Sequence, residues 1–386
     1  MNKNSLLLVS ALLFAAWDMR AADAPSTPSA PAASGPYHFV KEIHLGGLPS
    51  TDYLTVDSEN HRLYVSHGTA VTVVDLDKDE VIGDITGFTA VHGIAIAPKL
   101  GLGYITDGRG NKVSIFDLKT QKVTKTVDTG NNPDWVMFEA STNEVYVCNG
   151  SSKTITAFDA VSGNVTATID IGGGRPETAM VDPKAGRLFD NLEDKFSMAV
   201  IDLKTHKMVE NWPAVAGKGA SGLAIDLEHH KLFLACADDA APATDILAMM
   251  DSATGKVVAT LPCAKGVDSS AFDPATQYAF APGGGSGTIT IAKEDGDKLT
   301  LVQTLTTATG AKTMAIDPTT HKIYVACVKY QAPSTVAAAA SAASGSSGPA
   351  AASASGSARG AAARAPRPAP VADSFRVLVY GMDAAK

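Results

Sequence analysis

Between residues 53 and 85, four short runs rich in β-branched residues, at 53–56, 63–65, 71–75 and 81–85, are separated by Gly, Asp and Ser turn residues. Runs of this kind predict four strands. The pattern then recurs. Taking the residue that ends the first run of each unit as a marker gives Asp57, Ala97, Glu139, Asp182, Asp226, Asp273 and Asp317, spaced by 40, 42, 43, 44, 47 and 44 residues. Seven residues after every marker stands an aromatic: Tyr64, Tyr104, Tyr146, Phe189, Phe233, Phe280 and Tyr324. Aromatics make up only 6% of the chain, so this is a repeated core position and not coincidence.

Four short strands in a unit of about 40 to 45 residues predict a β-propeller, here all-β and seven-bladed. The seventh unit ends after its third strand, at 375–380, while an unassigned strand at 39–45 precedes the first marker. That N-terminal strand is expected to join the last blade as its fourth, so that the ring closes without an open edge. An Ala/Ser/Gly/Pro-rich stretch at 331–372, charged only through Arg359, Arg364 and Arg367, cannot bury a core. It is expected to be a disordered insertion between the second and third strands of blade seven.

The start of the chain has a different composition. Lys3 precedes an apolar run at 6–16, too short to span a bilayer, and 1–22 is expected to be a secretory signal peptide. Residues 23–36 follow as a Pro/Ser/Ala linker, and 37–386 as the propeller. The expected location is periplasmic or secreted, with no membrane span in the mature chain. The four cysteines lack C-x-x-C and C-x-x-C-H spacing, which argues against a zinc ribbon, a thioredoxin-type site or a c-type haem. Cys236 with Cys263 is the pair expected to bridge in an oxidising compartment.

The units resemble the YVTN repeat family of exported seven-bladed propellers, also called YncE-like. The likeness rests on 63–66 (LYVS), 104–107 (YITD), 145–149 (VYVCN) and 323–326 (IYVA), with following segments such as 155–159 (ITAFD) and 163–169 (GNVTATI). No unit keeps all four family letters. The resemblance implies an extracytoplasmic propeller used mainly for binding, with a nucleic-acid role in part of the family, and it transfers no catalytic motif.

Repetition also separates scaffold from site. Asp75, Asp117, Asp159, Asp202 and Asp251 each end a third strand before a turn, and Asx turns explain them. Asp75, Asp77 and Asp79 begin like a calcium loop, but Glu80 and Thr86 stand where that loop needs Gly and Glu. Five residues before the markers stand Asp52, His92, Asp134, Glu177, Ser221, Asp268 and Lys312, all polar and varying in identity. They predict a ring at the channel mouth with a formal charge of -3 when His92 is neutral. Tyr53 and Trp135 follow two ring positions as an apolar wall, and the loops on the same face add His67, Glu193 and Lys195.

The chain carries 32 basic and 40 acidic side chains, a poor balance for generic nucleic-acid binding. The expected function is therefore a monomeric, non-catalytic propeller that binds an unidentified ligand or protein partner at the mouth, with no cofactor and no metal ligand set. The alternatives are a lactonase-like hydrolase using the mouth carboxylates with His92, by analogy of fold only, and a nucleic-acid-binding propeller. Ser221 lies outside a G-x-S-x-G elbow, and 283–288 (GGGSGT) lacks the lysine of a phosphate loop.

Overall fold

The computed structural model describes residues 35–47, 52–214, 219–237, 245–331 and 369–382. It forms seven four-stranded antiparallel sheets. Blade one runs through Leu54–Asp57, Arg62–His67, Ala70–Asp75 and Glu80–Thr86 from inside to outside. The innermost strands of blades two to seven are Val91–Ala97, Pro133–Glu139, Pro176–Asp182, Gly219–Asp226, Ala271–Asp273 and Met314–Ile316. Each contains or directly precedes its marker.

Blade seven is completed from the other end of the chain. Tyr37–His44 pairs antiparallel with Arg376–Met382, from Tyr37 opposite Met382 to His44 opposite Arg376. Gln303, on the outer strand of blade six, clamps the start of this strand. It accepts from the Tyr37 N–H at 3.0 Å and donates to the Tyr37 carbonyl at 2.8 Å. The closing strand thus completes blade seven and ties it to blade six.

The core lies in the seams between blades. All seven aromatics that follow the markers are buried there, none more than 3% exposed. The turn joining first and second strands is equally regular. Four residues after each marker the backbone is left-handed, at His61, Gly101, Asn143, Gly186, His230, Gln277 and His321. This closes a four-residue hairpin loop. Aspartate markers accept the turn N–H groups, as Asp182 does from Lys184 and Ala185, both at 3.0 Å. The third-strand aspartates act likewise: Asp159 accepts from Ser162 N–H at 2.7 Å, and Asp251 from Thr254 N–H at 2.9 Å. The carboxylates of Asp75, Asp77 and Asp79 turn to Arg62, His61 and Lys41 respectively and do not converge.

The expected Cys236–Cys263 bridge is not formed. Cys236 packs in the seam between blades four and five, and Cys263 in the seam between blades five and six, so blade five separates them. The expected signal peptide at 1–22, most of the expected linker at 23–36, and residues 332–368 of the expected insertion lie outside the described residues. The ends of the insertion meet: Gln331 N–H donates to the Ala369 carbonyl and Val371 N–H to the Lys329 carbonyl, both at 2.8 Å.

Candidate functional site at the channel mouth

Because each innermost strand begins at the same end of the ring, residues five before the markers are brought around one opening. Hydroxyls on the following residue stitch this ring together. Thr178 donates to the Ser221 carbonyl at 2.8 Å, Ser269 to the Lys312 carbonyl at 3.3 Å, and Thr313 to the Asp52 carbonyl at 2.5 Å, each reaching the next blade. Neighbouring ring side chains are therefore held at fixed spacing by backbone contacts that do not consume the side chains themselves.

Asp52, His92 and Asp134 come together from blades one, two and three. His92 Nδ1 lies 2.7 Å from Asp52 Oδ2 and 3.8 Å from Asp134 Oδ1. The imidazole is wedged against Gly108, where an added Cβ would lie 2.5 Å from Nε2. The hydrogen bond that His92 Nδ1 donates to Asp52 raises the His92 pKa, against the effect of burial. Across the mouth, Lys312 pairs with Asp268. Burial works against the Lys312 charge, but Asp268 and Asp52 outweigh it and hold the ammonium above its usual range.

Two carboxyls are nearly enclosed. The Asp134 side chain is 10% exposed and that of Glu177 9%. Burial, with the charge of Asp52 added, pushes Asp134 up to about 6. Burial, with the charge of Asp134 added, pushes Glu177 up to about 9. Arg175 opposes both shifts: its guanidinium meets Glu177 at 3.2 Å and Glu193 at 2.8 Å. Even so, the mouth holds more carboxylate than its cations balance.

Tyr53 is buried among these groups, and burial followed by the charges of Asp134 and Glu177 holds its phenol well above the usual value. Its ring meets Trp135 edge-on, with centroids 4.8 Å apart. The Trp135 indole N–H is bonded to the Ala179 carbonyl at 3.0 Å, which leaves the ring as an apolar wall.

Other expected site residues are placed elsewhere. Ser221 is 3% exposed, and its hydroxyl donates to the Val267 carbonyl of the next blade at 3.3 Å. His67 bonds Thr72 and packs against Phe375 between blades one and seven. Glu193 reaches the mouth through Arg175, whereas Lys195 is exposed on the helical turn Glu193–Lys195. Arg175 is the residue that the sequence analysis passed over. It lies two residues before Glu177, where blades two, three, five, six and seven carry Ala90, Asn132, Gly219, Gly266 and Gly310. A lone charge at a repeated position is the signal that would have found it.

Three ligand-type atoms, one each from Asp52, His92 and Asp134, lie within 4.8 Å of one another. No ligand spacing in the sequence pointed to this set, because its members come from three blades. The mouth can therefore take a cation, and the Asp52–His92 pair can orient an imidazole for proton transfer.

Among known proteins, no family profile and no curated sequence matches the chain. Among solved structures, the chain is similar to one titled Kuenenia stuttgartiensis Hydrazine Synthase, with a TM-score of 0.65 and 18% identity, covering 72% of this chain and 92% of that one. This likeness establishes the propeller fold alone.

Proposed function

We propose that this protein is an exported, non-catalytic seven-bladed propeller of the YVTN-repeat kind that binds a cationic ligand or partner at its channel mouth. The observation that carries this is the enclosed pair Asp134 and Glu177 beside Asp52 and Asp268, with Arg175 and Lys312 as the cations of the mouth. A folded protein keeps such unfavourable charge crowding where binding a cation relieves it. The same crowding works against a nucleic-acid strand, whose phosphates would meet like charge. Titration of the purified protein with an organic polyamine tests the proposal. Binding that weakens with salt, falls at least about tenfold in Asp134→Asn and persists in Lys195→Ala is expected. Equal binding in all three proteins would refute a site at the mouth.

A second reading rests on the 2.7 Å contact between Asp52 and His92. A carboxylate that fixes an imidazole tautomer is half of a general-base arrangement, so lactone hydrolysis at the same mouth is the catalytic alternative. It requires turnover that disappears in His92→Ala.

A further inference from the structure

The repeat exposes a second outlier, far along the strands from the mouth. At the end of the third strand of six blades, or directly after it, one residue donates its N–H to the carbonyl of the left-handed turn residue of its own blade. These residues are Leu76, Leu118, Ala160, Leu203, Ser252 and Glu294, with bonds of 2.9 to 3.0 Å. The shared bond makes them structurally equivalent. Five blades fill the position with Leu, Ala or Ser, and blade six fills it with a glutamate whose side chain is 1% exposed. Its Oε2 is fully buried and no N–H or O–H reaches it in hydrogen-bonding geometry, and burial together with the neighbouring Asp226 carboxyl raises its pKa.

That oxygen is aimed at a partner pair on blade five. His229 Nδ1 lies 3.6 Å from Glu294 Oε2 and 2.6 Å from Asp226 Oδ2. Asp226 uses Oδ1 for the turn, accepting from Glu228 N–H at 2.9 Å, so its Oδ2 faces inward. The three ligand-type atoms lie within 4.8 Å of one another. The nearby ammonium of Lys231 is directed to Asp297 at 2.6 Å instead.

The bond from His229 to Asp226 belongs to the scaffold. Asn60, Thr276 and Thr320 make the same contact to Asp57, Asp273 and Asp317 from the equivalent position. Glu294 has no such counterpart. It makes sense as a third ligand.

We propose that Asp226, His229 and Glu294 bind a divalent transition cation in the seam between blades five and six, on the face opposite the mouth. Two carboxylates and one imidazole suit zinc or manganese better than calcium, which prefers six to eight oxygens. Ligand distances of about 2.0 to 2.2 Å place tetrahedral donors about 3.4 Å apart, close to the separation of His229 Nδ1 and Glu294 Oε2. The cation replaces the proton on His229 Nδ1, and the ring shifts slightly away from Asp226. His229 lies on a solvent-facing turn with 40% of its side chain exposed, which permits that movement and leaves a coordination position open to water.

The test is zinc stoichiometry of the purified protein by equilibrium dialysis and elemental analysis, together with melting in the presence and absence of zinc. Glu294→Leu installs the residue that three other blades use. His229→Asn keeps a turn bond of the Asn60 type and removes the imidazole. Both variants are expected to fold, to lose one zinc equivalent and to lose the zinc-dependent rise in melting temperature, while Lys195→Ala, on an exposed turn outside both clusters, keeps both. Unchanged stoichiometry in Glu294→Leu would overturn the site, as would a loss seen only in Asp134→Asn. Displacement of zinc by equimolar calcium would overturn the assignment to a transition cation.

Discussion

Arg175 Nη2 lies 3.2 Å from Glu177 Oε2, an oxygen with no hydrogen-bond partner, at the most crowded point of the mouth. The guanidinium also reaches Glu193 at 2.8 Å, so one cation serves two carboxylates from a single blade. Removing it leaves the Glu177 carboxyl, already raised to about 9, without the cation that favours its ionised form. Arg175→Met is expected to lower stability by about 1 to 3 kcal/mol, and adding Glu177→Gln is expected to restore much of it. Denaturant unfolding of both single variants and the double variant measures the coupling. Simple additivity would show that the contact contributes nothing.

Glu177→Gln by itself removes a carboxyl that burial and Asp134 keep protonated near neutral pH and that a bound cation would ionise. Its expected effect is unchanged or raised stability together with weaker cation binding, the usual trade at a site kept for function. Melting temperature and polyamine affinity measured on the same preparation check this, and a variant that loses both would place Glu177 in the scaffold.

Acid sensitivity is expected from a seam away from the mouth. Glu144 of blade three accepts from Thr166 at 2.5 Å and Tyr146 at 2.7 Å, and meets His206 of blade four at 3.0 Å. Burial opposes its ionisation, but these bonds outweigh burial and hold its pKa below the usual value. A carboxylate depressed in the folded state stabilises fully above its unfolded pKa of about 4.3, and that contribution fades as pH falls through the lower folded value. Glu144→Gln should therefore be about 1 to 3 kcal/mol less stable than the parent at pH 7. The gap should close towards pH 3. A gap independent of pH would show that the bonds act without the charge.

At Gly222 an added Cβ would lie 2.2 Å from the Ser269 backbone carbon of the next blade. Nothing flexible is available to move aside, so Gly222→Ala is expected to cost about 1 to 3 kcal/mol in thermal or denaturant unfolding. A neutral result would mean that the two blades can part locally.

The insertion should be dispensable for folding, because the bonds between Gln331 and Ala369 and between Val371 and Lys329 already close its base. Replacing 332–368 with a short Asn-Gly turn shortens the connection between the two strands and is expected to stabilise by up to about 2 kcal/mol. A large loss of stability would show that the excised residues pack on the ring.

The blades were legible because each repeats the same packing problem: Tyr64 and its six equivalents fill one seam position, and their spacing is visible without any structure. The left-handed turn position was harder to see, since His61, Gly101, Asn143 and Gln277 reach the same backbone geometry with different side chains. Polarity alone could not separate Asp134, whose carboxyl points into the mouth, from Ser221, whose hydroxyl is spent on the next blade. Alternation along a strand predicts a face, but a hydrogen-bond partner on another blade is a property of the closed ring. The Asp226, His229 and Glu294 cluster was hidden for the same reason, with two blades contributing ligands 65 residues apart between His229 and Glu294.

Native mass spectrometry of the purified protein, compared with the same sample denatured, tests binding at the mouth most directly. Extra mass beyond the one zinc equivalent proposed for the seam is predicted only under native conditions, present in the parent and in Glu294→Leu and absent from the Asp134→Asn, Glu177→Gln double variant. A parent that shows only its bare chain mass and takes up no polyamine or divalent cation on titration would contradict the proposal.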